Sequence, residues 1–313
     1  MNTRENMERE SNFEDDIALS KIFQILWDKK LILISFLFVS LISGILYAFS
    51  LPNIYKSEAL ISPAQNENTF NRNFQNYSSL ASLAGVDIST SNNINPSAEA
   101  IEKIQSLSFF SEEILPNISL ENLMAEPSWN KEKNSLIYNS NIFNIDTGQW
   151  LRNGTKGNGN KPSIQESFYK FSDLISVEEN KSSGFITISI EHQSPHIAKK
   201  WIELVFNRIN ISMRLDKKII AEKSVDYLNL QMTKTNFAET KQVLSELIQN
   251  QLQQLAVIEA NENYIFKYID PPYAPEKTYK PDRINLILLA SLFGLILGAI
   301  AIVFLHLRNK FYN

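Results

Sequence analysis

The chain is predicted to fold as an α+β domain held between two transmembrane helices. Three observations carry this. Two long apolar runs, near either end, contain no charged residue. Between them lie a strand pattern of period two and helix patterns with apolar residues four apart. A proline-rich stretch leads into the second run.

The first run, Leu31–Phe49, has 19 residues, and the second, Ile284–Leu305, has 22, with Asn285 its one amide. A bilayer core about 30 Å thick needs roughly 20 apolar residues at a helical rise. Buried core helices of a soluble protein rarely run so long without a polar face. The first run also exceeds the core of a signal peptide, and an acidic stretch with Glu5, Glu8, Glu10, Glu14, Asp15 and Asp16 precedes it. It is therefore expected to be an uncleaved anchor.

Two spans put both termini on one side. Lys29 and Lys30 before the first span, and Arg308 and Lys310 after the second, place both ends in the cytoplasm by the positive-inside rule. Lys277, Lys280 and Arg283 run against that bias, but a long intervening segment crosses largely regardless of charge. The expected organisation is a cytoplasmic tail (1–30), a span (31–49), a periplasmic domain (50–283), a span (284–305) and a short cytoplasmic tail (306–313).

Composition narrows the function. The chain has 313 residues and no cysteine, which excludes a disulfide scaffold, a Cys-based zinc finger, an iron–sulfur cluster and a cysteine nucleophile. With 30 Lys and Arg against 34 Asp and Glu, the net charge of −4 argues against nucleic acid as a partner. Membrane lipid is the partner both spans require.

Within the large segment, Ile54–Ser62 is predicted as a strand between Pro52 and Pro63. Asn66–Asn76 is predicted as a loop and Ser78–Gly85 as a short helix. Ser97–Ile114 is predicted as one helix, with Ala98, Ile101, Ile104 and Leu107 recurring at spacing three. Tyr138–Asp146 has β-forming residues ahead of a Thr147-Gly148 turn. Asn153–Lys161 is a surface loop, and Ser163–Leu174 a helix behind Pro162. Ser176–Glu179 and Phe185–Glu191 are expected to form a hairpin, with Ile186, Ile188 and Ile190 on one face. From Pro195 the period becomes helical to about Lys234, with a break expected near Asp216–Lys218. A second helix is expected over Phe237–Asn261, its apolar stripe formed by Leu244, Leu247, Ile248, Leu252, Leu255 and Ile258. At 1.5 Å per residue this is a rod of roughly 38 Å. Gln249, Asn250, Gln253 and Gln254 fill its polar side and are candidates for contact with a neighbouring subunit or a glycan. Tyr264–Ile269 is expected to close the sheet. Pro271, Pro272, Pro275 and Pro281 then make a stiff, extended approach to the second span. Gly294 and Gly298 have the small-residue spacing that lets spans pack closely.

Three segments carry a family resemblance. Asp16–Ile32 (DIALSKIFQILWDKKLI) joins an amphipathic stretch to a Trp and a basic pair. Phe185–Asn210 (FITISIEHQSPHIAKKWIELVFNRIN) joins a strand, a Ser-Pro turn and a Trp-bearing helix. Tyr264–Arg283 (YIFKYIDPPYAPEKTYKPDR) joins a strand to the prolines. In this order, between two spans, they resemble the Wzz-type polysaccharide co-polymerases, the chain length determinants of bacterial polysaccharide assembly. The resemblance implies an inner-membrane protein with a membrane-proximal α/β base and long protruding helices. It implies a homo-oligomer without cofactor or catalytic activity. Its partners would be an O-antigen polymerase and the polyprenyl-diphosphate-linked polysaccharide whose modal length it sets. Relatives acting in capsule or exopolysaccharide export carry or partner a tyrosine kinase. The sequence after the second span is short and shows no Tyr cluster, which favours the kinase-free branch.

Chemical motifs are sparse. Gly154–Lys161 (GTKGNGNK) misses a phosphate-binding loop, because Asn160 separates Gly159 from Lys161 and Pro162 stands where a hydroxyl is needed. His192 and His196 are four apart, but Pro195 interrupts the helix that would align them on a metal. Glu112-Glu113 and Glu178-Glu179 are adjacent residues that point apart, so neither makes a glycosidase pair.

Overall fold

In this computed structural model, residues 24, 26–64, 95–152 and 160–312 are described. The chain divides into two compact units, Met1–Asn53 with Tyr279–Asn313, and Ile54–Thr278. The expected helix at Ser78–Gly85, the loop at Asn66–Asn76, most of Asn153–Lys161 and most of the pre-span segment lie outside the described residues.

In chain order the elements begin with α1 (Lys30–Ser50) and β1 (Tyr55–Pro63). Next come α2 (Pro96–Ile104) and α3 (Leu107–Phe109), which runs on through a π-helical turn, Phe110–Ile114, and a 3-10 turn, Leu115–Asn117. After α4 (Leu120–Met124), two small hairpins follow, β2 (Ser128–Asn130) with β3 (Ser135–Ile137), and β4 (Phe143–Asn144) with β5 (Gln149–Trp150). Then come α5 (Ile164–Leu174), β6 (Ile175–Glu179), β7 (Ile186–His192) and the two long helices α6 (Pro195–Lys234) and α7 (Ala238–Ala260). The chain closes with β8 (Phe266–Asp270) and α8 (Arg283–Tyr312).

The main sheet has the order β6-β7-β1-β8 and is antiparallel throughout. The β6–β7 connection turns at Gly184, whose φ of 70° is open to glycine without a Cβ penalty. Asn180 accepts there from the Ser182 amide at 3.0 Å, and its carbonyl takes the Gly184 amide. Register puts one face together, with Tyr55, Ser57, Ala59 and Ile61 of β1 opposite His192, Ile190, Ile188 and Ile186 of β7. All eight are buried. α6 covers this face with Trp201, Ile202, Val205, Phe206, Ile209 and Met213, and Phe109, Phe110, Ile114 and Phe171 complete the core. Truncating a fully buried Ile such as Ile188 to Ala costs about 2–5 kcal/mol.

Local chemistry sets the ends. Ser163 and Glu166 form a reciprocal capping box at the start of α5. The Glu166 carboxylate also takes Arg152 at 2.6 Å, fixing the chain after β5. Pro195 occupies the first turn of α6, where its missing N–H has no intrahelical partner to lose. Beyond Met213, α6 has α7 as its partner, through Leu228, Leu244 and Leu247 with Met232, Val243 and Ile248 packed around them.

Four expectations change. α6 is continuous through Asp216–Lys218. Those charges take outside partners, Lys103 to Asp216, Glu99 to Lys217 and Glu259 to Lys218, so the charged run anchors neighbours instead of breaking the helix. The helix foreseen over Ser97–Ile114 breaks at Gln105-Ser106, because the Ser106 hydroxyl caps a new turn by accepting the Phe109 amide at 3.2 Å. Within Tyr138–Asp146 only Phe143–Asn144 is strand. Leu252 is half exposed and not part of the packed stripe of α7.

Candidate functional site

The Ile54–Thr278 unit contains two polar locks in its core. Asn210, on α6, is 2% exposed. Its side-chain carbonyl accepts the amides of Ile265 at 2.9 Å and Phe266 at 3.0 Å, and its amide donates to the Phe206 carbonyl at 3.1 Å. It thus ties the start of β8 to the middle of α6. Tyr268 stacks on Phe206 with ring centroids 3.7 Å apart. Burial, with Glu203 adding to it, pushes the Tyr268 phenol well above its ordinary value.

His192 ends β7. Its Nδ1 accepts the Ser194 amide at 2.9 Å, which assigns the proton to Nε2, and that N–H donates to the Asn122 carbonyl at 2.9 Å. The ring packs edge-on against Trp201. Burial holds the imidazole below its ordinary pKa, outweighing the two backbone hydrogen bonds. Both ring nitrogens are therefore used structurally, while His196 lies against Trp129. Among the described residues no cluster of three or more His, Asp or Glu is placed to hold a metal ion.

The polar side of α7 is split. Gln249 and Gln253 are exposed together with Leu252, whereas Asn250 and Gln254 are half-buried. α7 joins α6 through the Lys218–Glu259 ion pair, which holds the Lys218 ammonium above and the Glu259 carboxyl below their ordinary values.

In the proline-rich stretch, Pro272 is buried, Pro271 exposed and Pro275 half-buried. Ser57, on the core face of β1, donates to the Tyr273 carbonyl at 2.6 Å. In the other unit Pro281 is half-buried, and the Lys280–Pro281 peptide is cis.

In that unit α1 and α8 are both long and apolar enough to cross a membrane, and they pack closely along small residues. A Cβ on Gly44 would stand 2.6 Å from that of Ala290, and one on Gly298 3.1 Å from that of Phe36. One on Gly294 would collide with the Ser40 side chain. The Ser40 hydroxyl donates to the Ala290 carbonyl. Gly294 and Gly298 thus line the α1–α8 contact. The matching Ser40, Gly44 and Ala48 of α1, each four apart, carry the same signal on the first span, which sequence reading missed. At one end Arg283 donates to the Ala48 carbonyl at 3.3 Å and to Asn53 at 2.8 Å, over the Phe49 ring. It satisfies a carbonyl that the terminating α1 leaves open.

Residues 15–114 match the family model for Wzz, chain length determinant protein. A solved structure described as a full-length bacterial polysaccharide co-polymerase is similar over 92% of this chain and 97% of its own, at 13% identity and a TM-score of 0.40. Another, a fragment of WzzB, polysaccharide co-polymerase from Salmonella Typhimurium, is similar over 73% of this chain and 100% of its own, at 14% identity and a TM-score of 0.31. Curated proteins give no significant match. The matched residues 15–114, which hold α1, β1, α2 and the turn through Ile114, make this part of the chain similar to the Wzz chain length determinant family.

Proposed function

We propose that this chain sets the modal length of O-antigen polysaccharide made by a separate membrane polymerase. It would do so without catalysis, as a homo-oligomeric scaffold of the bacterial inner membrane. The Ile54–Thr278 unit would face the periplasm and meet the polyprenyl-diphosphate-linked polysaccharide there. Both termini would be cytoplasmic.

The observation that carries this reading is the combination of two apolar helices bracketing an α+β unit with the chain length determinant match at residues 15–114. The test is a deletion strain complemented with the full chain. Loss of the modal distribution of its lipopolysaccharide, restored on complementation, is the expected result. An unchanged ladder overturns the proposal, and a defect confined to capsule or exopolysaccharide secretion moves the protein to export.

A further inference from the structure

Three cations precede the second span, Lys277, Lys280 and Arg283. On the proposed topology they lie on the side of the membrane away from the cytoplasm, where Lys and Arg oppose the bias that orients a two-span chain. Their presence there calls for a use of the charge itself.

Arg283, the first residue of α8, is held in place without being neutralised. Its Nε–H donates to the Ala48 carbonyl at 3.3 Å and its Nη2 to the Asn53 side chain at 2.8 Å, with the guanidinium carbon 5.1 Å from the centroid of the Phe49 ring. Both acceptors are neutral oxygens, and only two of the five guanidinium donors are used. Asp282 stands next to it in the chain, but its two oxygens take the Asn285 backbone amide at 3.2 Å and side-chain amide at 2.6 Å. Among the described residues no carboxylate pairs with Arg283. Lys280 is exposed, its ammonium 5.1 Å from the centroid of the Tyr279 ring. Three residues of backbone span at most about 11 Å, so these two long side chains can converge on one small anion.

Aromatic rings mark the level of the pair. Tyr47, Phe49 and Tyr279 are exposed around this end of α1 and α8. Exposed rings at the edge of an apolar band sit among lipid headgroups. Phosphate is the anion of that level. A guanidinium grips it through two parallel N–H donors, and partial exclusion of water strengthens the attraction.

We propose that Lys280 and Arg283 seat the diphosphate of the lipid carrier that bears the polysaccharide. This rests on the function proposed above and names the part of the lipid-linked polymer that the chain holds. Two cations match the two charges of a diphosphate diester and exceed the single charge of a phospholipid phosphodiester. The group recognised is common to every polymer on such a carrier, so binding is independent of sugar sequence.

The test uses the full chain in detergent, mixed with equal amounts of a long-chain polyprenyl diphosphate, the same polyprenol without phosphate, and phosphatidylglycerol. Lipid retained on the protein is counted by native mass spectrometry. The diphosphate should be retained several-fold over both competitors. Lys280→Gln and Arg283→Gln should each reduce its retention about fivefold, and Arg283→Lys should recover part of the loss. Lys280→Gln leaves both Arg283 bonds in place, and so reads binding even where Arg283→Gln loosens the helices. Equal retention of either competitor, or unchanged retention of the diphosphate in both Gln variants, overturns the proposal. A chain that retains the diphosphate while its deletion leaves the lipopolysaccharide ladder unchanged overturns length control and keeps this site. A chain whose deletion abolishes the modal ladder but that retains no diphosphate keeps length control and overturns this site.

Discussion

The Ile265 amide donates to the side chain of Asn210 at 2.9 Å, joining residues 55 apart in sequence inside the core. The same oxygen takes the Phe266 amide, so one side chain satisfies both N–H groups where the chain returns from α7 to the sheet. A buried amide left without a partner costs about 1–3 kcal/mol. Asn210→Leu, similar in volume but unable to accept, should therefore lower the stability of the full chain by about 2–4 kcal/mol. Denaturant unfolding followed by tryptophan fluorescence reads this directly, and a loss below 1 kcal/mol would show that the amides find other partners.

His192 gives the fold an acid-sensitive point. In the folded chain its Nδ1 is an acceptor facing the Ser194 N–H, so protonation sets two donors against each other. Its pKa is lowered by burial, so the unfolded chain binds the proton more readily. Stability is then complete above the unfolded value near 6.5 and falls as pH drops from there toward the folded value. Melting temperatures measured between pH 7.5 and 5 should decline, and His192→Gln, which keeps a donor and an acceptor, should flatten that part of the slope. An equal slope in the variant would assign the acid sensitivity to carboxylates.

The parts of this architecture legible in the sequence are those set by local pattern. The spans follow from uncharged runs, β7 from the alternation of Ile186, Ile188 and Ile190, and α5 from Ser163 and Glu166 around its first turn. What stayed hidden depends on partners distant in the chain. The charged run Asp216-Lys217-Lys218 suggested a break because its partners Lys103, Glu99 and Glu259 are not local. Leu252 fits the period of the α7 stripe yet is exposed, because periodicity locates a face without saying what covers it. The role of Asn210 could not be foreseen, since a polar residue in a helix acquires meaning only when β8 arrives beside it. Gln249 and Gln253 share an outer face while Asn250 and Gln254 do not, a division that composition alone cannot make.

The contact between α1 and α8 should tolerate no added bulk. Gly294→Leu drives a side chain into Ser40, and Gly44→Leu drives one into Ala290. Either change should separate the helices and lower the melting temperature of the detergent-solubilised chain by several degrees. Ser35→Leu, on the exposed side, should leave it unchanged. Equal behaviour of Gly294→Leu and Ser35→Leu would mean that the two helices do not depend on this contact.

The proline-rich stretch is held at a defined place, and this yields a functional prediction. Pro272 is buried, and the next residue's carbonyl accepts the hydroxyl of Ser57 from the middle of the sheet. On the proposed role in length control, loosening the stretch at either point should have the same consequence. Pro272→Ala frees the backbone, and Ser57→Ala removes the tether, which costs about 1 kcal/mol and leaves the core packing intact. Both variants should shift the modal length of the lipopolysaccharide ladder while polymer is still made, and Pro271→Ala, at an exposed position, should shift it less. A normal ladder from Pro272→Ala, at wild-type protein levels, would remove the stretch from length control and leave it a connector.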